Sequence, residues 1–401
     1  MKDSLIKVID NIHREHDGAF YLFNIEKLYS WYDMLDERLG SALEGKGSLV
    51  YAIKANPFLT KYMNEKVDSF EVCSPGEFEI CMKYGIPTEK IVFSGVYKSK
   101  ENIERIFECD FKGIVTLESY NHYKLLKEVM DEKSLSGVRI LPRLSSGNKF
   151  GMDEDNIINI VKDAISDNRI SVAGIQYFSG TQKKKIKVIR EELEAIDKFI
   201  EKLKLKTGLG VDFVEYGPGF FYDYYSLADH VAVFDEVLDE IKPYINKYSF
   251  ALESGRFLAA GCGEYVTEIV DVKSTFDKKY CLVDGGIHHV NYYGRMLGMN
   301  VPSVDQIKCE DDNTYLANKG TGDLYEVGGA LCTVSDVLLK NYELDEPKCG
   351  DLLVFHDTGA YSCTESSVLF LSRTLPRIFA FLPSGAVEML RDTIESYELN
   401  S

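Results

Sequence analysis

The residues most capable of chemistry each follow an apolar run that is typical of a buried strand. Lys54 ends such a run in "VYAIKANP", residues 50–57, and the Ala-Asn-Pro that comes next is typical of a strand end. Glu253 and Arg256 end another run in "ESGR". A lysine amine can bind a carbonyl carbon covalently, and an arginine can bind a phosphate through two parallel hydrogen bonds. A carboxylate beside a heteroaromatic ring can keep a ring nitrogen protonated.

A glycine-rich turn adds a third kind of group. "YGPGFF", residues 216–221, follows an apolar run, and Gly217 and Gly219 allow backbone N–H groups to approach an anion closely. Pro218 contributes no N–H group to such a turn. A lysine, a phosphate-binding turn and a ring-nitrogen partner together indicate pyridoxal 5'-phosphate (PLP), which a lysine holds covalently. The sequence therefore predicts a PLP site.

The elements that must position these groups alternate along the chain. Eight short apolar runs are separated by helical patterns such as "YNHYKLLKEVMDE", and strands that alternate with helices predict a parallel sheet. The runs end at Lys54, Ser74, Gly95, Ser119, Ser145, Gly180, Gly219 and Arg256. Eight such units predict an α/β fold, a (β/α)8 TIM-type barrel with its active site at the C-terminal ends of the strands.

The pattern changes after the eighth run. Short strands with Gly-rich breaks, as in "DLYEVGGALC" and "GDLLVFHDTGAYS", predict a mostly β C-terminal domain. The helix that precedes "GAFYLFNI" is expected to pack against this domain. We therefore predict a PLP-binding barrel over residues 20–258 and a β-rich domain formed by residues 1–19 and 259–401.

Composition restricts the possible partners. The chain has 401 residues and a formal net charge of −18, which argues against nucleic acid or an anionic membrane as a partner. The sequence has no long apolar run that could span a membrane, and the charged N-terminus lacks the apolar core of a signal peptide, so we expect a cytoplasmic protein. The nine cysteines form no CxxC pair and the seven histidines no HExxH motif, so no metal site is expected.

In type and in order, these motifs resemble those of the fold type III, alanine-racemase-like PLP decarboxylases, which include ornithine, diaminopimelate and arginine decarboxylases. The resemblance extends from about residue 18 to residue 380. It implies an alanine-racemase-like fold, PLP as the cofactor, an amino-acid substrate and a homodimer with shared active sites.

The resemblance also implies a role for each motif. Lys54 in "YAIKAN" corresponds to the cofactor lysine, and Glu253 corresponds to the carboxylate that pairs with the pyridinium ring. Cys332 in "GGALCTVSDVL" corresponds to the cysteine that enters the active site from the second subunit and protonates the substrate after CO2 leaves. The other cofactor-binding residues that the resemblance implies are Phe178, Gly217, Gly219, Arg256 and Tyr361.

Phe178 in "QYFSGTQ" departs from the family pattern. The decarboxylases usually have a histidine at this position, stacked on the face of the cofactor. A phenyl ring can still stack, but it cannot donate a hydrogen bond. The departure affects the tuning of the site and leaves the cofactor prediction unchanged.

The residue after Cys332 bears on the substrate. Ornithine and diaminopimelate decarboxylases have an acidic residue there, which contacts the distal amine of the substrate, whereas this chain has Thr333. An amine that is buried without a carboxylate is poorly satisfied, which disfavours a diamine or lysine product. The candidate substrate contacts are Lys149, His288, Arg295, Thr333 and Asp336.

Several segments resemble one branch of the family. "GALCT", "VDGGIHH", "FSGTQ" and "FGMDE" are similar to the branch that includes the butirosin-pathway decarboxylase, which acts on a glutamyl group tethered to an acyl carrier protein. This resemblance implies natural-product biosynthesis and an acyl or peptidyl carrier protein as a possible partner. Five positive charges at residues 183–190 would suit an acidic carrier. A solvated basic start of a helix is the simpler explanation of the same residues.

Other functions stay open. One is a decarboxylase of a free amino acid, of the diaminopimelate or ornithine/lysine type. Another is a racemase on the same fold, which would need a second base on the opposite face of the cofactor. A third is a non-catalytic homologue that binds partners, although the presence of Lys54, Glu253, Cys332 and Tyr361 argues against it.

Overall fold

The computed structural model describes residues 3–225, 229–291, 303–309, 315–318 and 322–401, which form two compact units. The barrel unit comprises Trp31–Tyr222 and Ala228–Leu258. The β unit comprises Met1–Ser30, Asp223–Leu227 and Ala259–Ser401. None of the helices in the described ranges is long and apolar enough to cross a membrane.

The chain begins with helix α1 (Asp3–Glu15), strand β1 (Phe20–Asn24) and helix α2 (Ile25–Ala42). The apolar face of α1 is formed by Leu5, Ile9 and Ile12, which are buried in one hydrophobic cluster of the β unit. Residues at i, i+4 and i+7 share one face of a helix, so the spacing of these three residues explains how α1 covers a sheet.

The strands of the barrel unit follow in chain order. They are β2 (Gly47–Ala52), β3 (Ser69–Val72), β4 (Ile91–Phe93), β5 (Ile114–Leu117), β6 (Val138–Leu144), β7 (Ile170–Val172), β8 (Ile175–Phe178), β9 (Phe213–Gly217) and β10 (Ser249–Ser254). All pairs are parallel, in the order β5-β4-β3-β2-β10-β9-β8-β6, and a β5–β6 pairing closes the sheet. β7 and β8 share one position beside β6. The eight-stranded parallel barrel confirms the predicted fold class.

Helices connect these strands. They are α3 (Thr60–Met63), α4 (Pro75–Lys83), α5 (Lys100–Phe107), α6 (Tyr120–Lys133), α7 (Glu154–Ser166), α8 (Ile186–Thr207), α9 (His230–Ile241) and α10 (Arg256–Ala259). The starts of α4 to α7 are capped by Ser74, Ser99, Ser119 and Asp153. Each of these side chains accepts a hydrogen bond from the backbone N–H of the residue three positions later. α8 differs, because Lys185 at its N-cap position makes no side-chain capping bond.

Several strands end earlier than predicted. β2 ends at Ala52, so Lys54 lies in a 3-10 turn, Ile53–Ala55, just beyond the strand. The predicted sixth strand is divided into β7 and β8 near Gly174, where a Cβ would lie 2.3 Å from the carbonyl oxygen of Phe213 on β9. Such a close approach of two backbones is compatible only with glycine.

The β unit contains one further set of strands after the barrel. They are β11 (Gly263–Thr275), β12 (Lys278–Val283), β13 (Val304–Cys309), β14 (Tyr315–Asn318), β15 (Asp323–Gly328), β16 (Val337–Leu344), β17 (Leu352–Phe355), β18 (Arg377–Phe381) and β19 (Val387–Arg391). The main sheet has the order β14-β13-β17-β11-β1-β18-β19, and β12, β15 and β16 extend from β11. This confirms the predicted mostly β second domain.

β1 differs from the predicted domain organisation. The predicted barrel range, 20–258, includes β1, but β1 pairs antiparallel with β11 and parallel with β18. Its residues Phe20 and Leu22 are buried in the same cluster as α1. The barrel unit therefore begins at Trp31, because β1 completes the sheet of the β unit.

Candidate active site

Lys54 lies in the short turn at the C-terminal end of β2. Asn56 stabilises this region, because its side chain accepts a hydrogen bond of 3.1 Å from the backbone N–H of Phe58. Lys54 Nζ donates to Glu71 Oε2 at 2.7 Å and lies 3.6 Å from Cys73 Sγ. The Lys54 side chain is 38% exposed, whereas that of Glu71 is 4% exposed. A buried carboxylate therefore holds an accessible amine at the mouth of the barrel.

Glu71, on β3, supplies a fixed negative charge. Burial raises the pKa of Glu71, but the Lys54 ammonium, the Arg143 guanidinium and the hydrogen bond with Cys73 together bring the pKa below its ordinary value. Glu71 is not among the site residues predicted from the sequence. The available signal was a single charged residue among apolar ones in the strand sequence "SFEV".

Glu253 lies on β10, between β2 and β9, and shares one amide group with Glu215 of β9. Gln176 Nε2 donates to Glu253 Oε1 at 2.7 Å and to Glu215 Oε1 at 2.9 Å. Burial raises the pKa of Glu253 to about 7. Burial and the charge of Glu253 raise the pKa of Glu215 well above its ordinary value. Glu215 therefore keeps its proton more readily and hydrogen bonds to Glu253, which is the more acidic member of the pair.

The glycine-rich turn after β9 depends on close backbone contacts. Gly219 has a φ of +64°, and a Cβ there would lie 2.1 Å from the carbonyl oxygen of Gly180. A Cβ on Gly217 would lie 2.4 Å from the ring of Phe178. Neither position can accept a side chain, so both residues must be glycine and the backbone of the turn stays uncovered there.

Arg256 begins α10 directly after β10 and is 8% exposed. Gly255, which precedes it, packs against the turn after β2, because a Cβ on Gly255 would lie 2.8 Å from the Cβ of Ala55. This contact brings the end of β10 beside the turn that contains Lys54. Lys54, Glu253 and Arg256 thus lie at the same end of the barrel.

A second buried ion pair supports Phe178. Arg143 Nη1 donates to Glu118 Oε1 at 3.0 Å, and both side chains are buried. The Arg143 guanidinium lies 4.7 Å from the ring centroid of Phe150 and 5.7 Å from that of Phe178, and it also donates to the Phe178 carbonyl oxygen at 3.2 Å. Lys149 is exposed beside Phe150.

The groups at this end of the barrel fit PLP by their chemistry. They comprise an amine for an aldehyde, a carboxyl pair for a ring nitrogen, and a glycine-rich turn with a guanidinium for a phosphate. Within the described part of the chain, Gln176 Oε1, Ser94 Oγ and Ser254 Oγ are buried without a hydrogen-bond partner. Buried polar atoms usually have partners, so these three indicate a place for the polar groups of a ligand.

The other predicted residues lie in the β unit. Cys332 is exposed in the loop between β15 and β16, and the hydroxyl oxygens of Thr333 and Ser335 are 3.0 Å apart. Tyr361 has a φ of +65°, a left-handed conformation that is unusual for a non-glycine residue and is found preferentially at functional sites. Arg295 lies outside the described residues.

His288 and Asp336, two of the candidate substrate contacts, are both buried in the β unit. The Asp336 carboxylate accepts the backbone N–H groups of Ile287 and Leu331 at 2.9 and 2.7 Å. His288 is 1% exposed, and burial lowers its pKa to about 4. Asp336 therefore braces the loop that contains Cys332, and His288 is a neutral buried ring.

Known proteins resemble this chain over most of its length. It is 26% identical over 413 residues to the L-glutamyl-[BtrI acyl-carrier protein] decarboxylase of Niallia circulans, with coverage of 96% of this chain and 93% of the relative. It is 28% identical over 384 residues to a diaminopimelate decarboxylase of Campylobacter jejuni, with coverage of 89% of both proteins. The solved structure of a diaminopimelate decarboxylase from Methanocaldococcus jannaschii has the same fold, with a TM-score of 0.83 at 23% identity and coverage of 97% and 93%.

A family model described as "Pyridoxal-dependent decarboxylase, pyridoxal binding domain" matches residues 29–260. This range contains Lys54, Phe178, Glu253 and Arg256 together with the glycine-rich turn. Because the match covers more than half of the chain and the barrel provides the groups that PLP requires, the chain belongs to the pyridoxal-dependent decarboxylase family and is a PLP-dependent amino-acid decarboxylase.

Proposed function

We propose that this decarboxylase acts on an amino acid tethered to an acyl or peptidyl carrier protein, in a natural-product pathway. The observation that carries the proposal is the residue after Cys332. Thr333 Oγ1 lies 3.0 Å from Ser335 Oγ, so two neutral hydroxyls replace the acidic group that would bind a distal amine. The nearby Asp336 carboxylate already accepts two backbone N–H groups. The relative from Niallia circulans, by its name, acts on an L-glutamyl group of a carrier protein.

We assign the catalytic roles in the barrel unit to three carboxyl groups and one amine. Bound PLP supplies an electron sink for the bond that breaks when CO2 leaves. Lys54 holds the cofactor covalently, and Glu71 orients the Lys54 amine through the 2.7 Å bond. Glu253 keeps the pyridine nitrogen protonated, while Glu215 holds Glu253 in position. The barrel unit is thus the cofactor-binding domain.

The phosphate and the substrate carbon require further groups. Gly217, Gly219, Arg256 and Tyr361 bind the phosphate in this proposal, and Phe178 stacks on the cofactor. Cys332, supplied by a second copy of this chain, delivers a proton to the substrate Cα after CO2 leaves. The exposure of Cys332 supports this role, because a thiol that acts in another subunit must lie at the surface of its own. We therefore propose a cytoplasmic homodimer with shared active sites.

Fewer positive charges are available to a partner at residues 183–190 than the sequence indicates. The Lys183 side chain is 8% exposed and is bonded to Glu192 at 2.7 Å, and Arg190 is bonded to an acidic side chain of α9 at 2.6 Å. Lys184 and Lys185 remain exposed at the start of α8. Positive charge is unfavourable at a helix N-terminus, so an acidic partner would stabilise these two residues. We propose them as the contact for an acidic carrier.

The substrate proposal is tested by CO2 release from the PLP-loaded enzyme. Glutamyl-carrier protein is expected to release CO2, whereas free lysine, ornithine, arginine, diaminopimelate, glutamate and aspartate are expected to show none above background. For the four substrates with a distal cationic group, the physical reason is the hydroxyl pair at Thr333 and Ser335, which cannot neutralise that charge. Free glutamate and aspartate lack the carrier protein that this proposal requires. Turnover of a free diamino acid at a rate equal to that of the tethered substrate would contradict the proposal and assign the enzyme to free amino acids.

The docking contact is tested by the double variant Lys184→Glu/Lys185→Glu. We expect KM for the carrier-bound substrate to rise by about tenfold with kcat unchanged, because charge reversal at a rim contact mainly weakens association. The matched control is Lys198→Glu/Lys204→Glu, which reverses two exposed charges further along α8. Equal KM values for both double variants would remove Lys184 and Lys185 from the docking surface.

A further inference from the structure

Two loops at the C-terminal end of the barrel are bonded to each other. The first loop, residues 179–185, follows β8, and the second loop, residues 217–222, follows β9. The backbone N–H of Lys183 donates to the Gly219 carbonyl oxygen at 2.9 Å. The Gln182 side chain donates to the Tyr222 carbonyl oxygen at 2.8 Å and accepts the Tyr222 N–H at 2.7 Å. These reciprocal bonds make the two loops one connected wall.

One carboxylate on α8 is bonded both to the first loop and to the strand that leads into the second loop. Glu192 is 6% exposed, accepts Lys183 Nζ at 2.7 Å and Tyr216 Oη at 2.6 Å, and also accepts the Ser179 hydroxyl. Ser179 and Lys183 belong to the first loop, and Tyr216 directly precedes Gly217 on β9. Glu192 therefore connects the first loop, the start of the glycine-rich turn and α8.

The charges in this cluster balance one another. Burial opposes the charge of Lys183 and lowers its pKa, while the Glu192 carboxylate counteracts part of this effect. The Lys183 ammonium also lies 3.4 Å from the Gly217 carbonyl oxygen. Removing one member of such a buried pair leaves the other charge uncompensated, so the geometry of the pair is strongly specified.

We propose that Glu192 is a positioning residue for the cofactor phosphate. It holds the first loop and Tyr216 in place, and thereby fixes the backbone N–H groups of the turn at Gly217 and Gly219 before the phosphate arrives. Donors that are fixed in advance bind an anion without the cost of ordering a loop. The inference rests on the proposed phosphate role of this turn, and it adds a residue that does not itself contact the cofactor.

A purely structural role for Glu192 makes a different prediction. Loss of folding stability alone would weaken the binding of PLP and of pyridoxal, which lacks the phosphate, to the same extent. A positioning role weakens PLP selectively. The ratio of the Kd for pyridoxal to the Kd for PLP therefore isolates the contribution of the phosphate from the stability of the barrel.

The experiment measures this ratio by equilibrium dialysis of the apo full-length protein with each ligand. Glu192→Gln retains the size of the side chain and its acceptor oxygen but loses the charge that pairs with Lys183, and we expect the ratio to fall by about tenfold. The matched control is Glu191→Gln, because Glu191 is exposed on the same helix and pairs only weakly with Lys187 at 3.4 Å. The 31P resonance of bound PLP is expected to shift in Glu192→Gln and to stay unchanged in the control.

The outcomes separate this inference from the function on which it rests. A large ratio in the parent protein that Glu192→Gln leaves unchanged would overturn the positioning role and retain the phosphate site. A parental ratio near one would overturn both, since the turn would then contribute nothing to phosphate binding. If Glu192→Gln does not fold, Tyr216→Phe removes one bond to the same carboxylate, and it must lower the ratio in the same direction for the inference to stand.

Discussion

Lys54→Ala is expected to lose covalent retention of the cofactor and to lose activity by roughly 10³-fold or more. The reason is that a tethered, aligned amine has a far higher effective concentration than an amine free in solution. The Lys54 amine is suited to this role because the buried Glu71 carboxylate holds it at 2.7 Å while the side chain remains partly exposed. The phosphate-binding groups are unaffected by the substitution. PLP should therefore still bind, but reversibly.

The measurement is borohydride reduction of the loaded protein followed by peptide mass spectrometry, together with the visible absorbance after gel filtration. The parent protein should carry the label on Lys54, and the variant should carry none and elute without colour. Lys83→Ala is the matched control, because Lys83 is exposed at the end of α4 and should leave label and activity at the parental level. Label at another lysine in Lys54→Ala, with activity retained, would contradict the assignment of Lys54 as the cofactor lysine.

Glu253→Gln is the second substitution for which a large effect is expected. We expect kcat to fall by roughly 10²- to 10⁴-fold, the range typical for loss of a positioned acid–base group, with cofactor retention largely intact. A glutamine has nearly the same size and can keep the contact with Gln176, but it cannot hold a proton on the pyridine nitrogen. The covalent link through Lys54 does not depend on this charge.

Single-turnover rates at full cofactor loading are the appropriate measurement, since they exclude weaker binding as the cause. Glu79→Gln serves as the control, because Glu79 is half-exposed on α4, is bonded to Arg105 and should leave the rate unchanged. Glu215→Gln adds a diagnostic variant. It keeps an amide donor toward Glu253, so we expect a smaller loss than for Glu253→Gln. A parental rate in fully loaded Glu253→Gln would be incompatible with the proposed role.

Glu71, Glu215 and Glu253 are buried close enough to affect one another's charge. Three acidic side chains near one another cannot all be charged without a large electrostatic cost. Glu71 is therefore charged and paired with Lys54, whereas Glu215 keeps its proton. Burial raises the pKa of Glu253 to about 7, and a cationic ring beside this carboxyl would bring the pKa back down.

Local patterns were sufficient to predict the barrel and the main site residues. Short, mostly apolar runs alternate with helical segments, and in such a barrel the C-terminal ends of all strands lie on the same side. For this reason Lys54, Glu253 and the glycine-rich turn could be placed together without knowledge of any contact. The same rule does not give exact strand ends, and Lys54 proved to lie in the turn beyond β2 rather than in the strand.

The partners of these residues depend on contacts that no local pattern contains. Glu192 follows Glu191 in "EELEAID", and the local sequence does not distinguish the two. Successive residues of a helix point in different directions, so Glu192 is buried whereas Glu191 is exposed. The five positive charges at residues 183–190 indicate solvated side chains, but Lys183 is buried against Glu192. Side-chain burial depends on which loops pack above a helix, and those loops are distant in sequence.

Sequence alone therefore determined the fold class, the cofactor and the residue types at the strand ends, because these follow from periodicity, turn chemistry and family motifs. Three-dimensional packing decided which carboxyl keeps a proton, which lysine is buried, and that Asp336 braces a loop. Each of these depends on desolvation and on hydrogen bonds between residues far apart in the chain, such as Gln176 with Glu253. Pairing of β9 with both β8 and β10 brings Gln176 and Glu253 together.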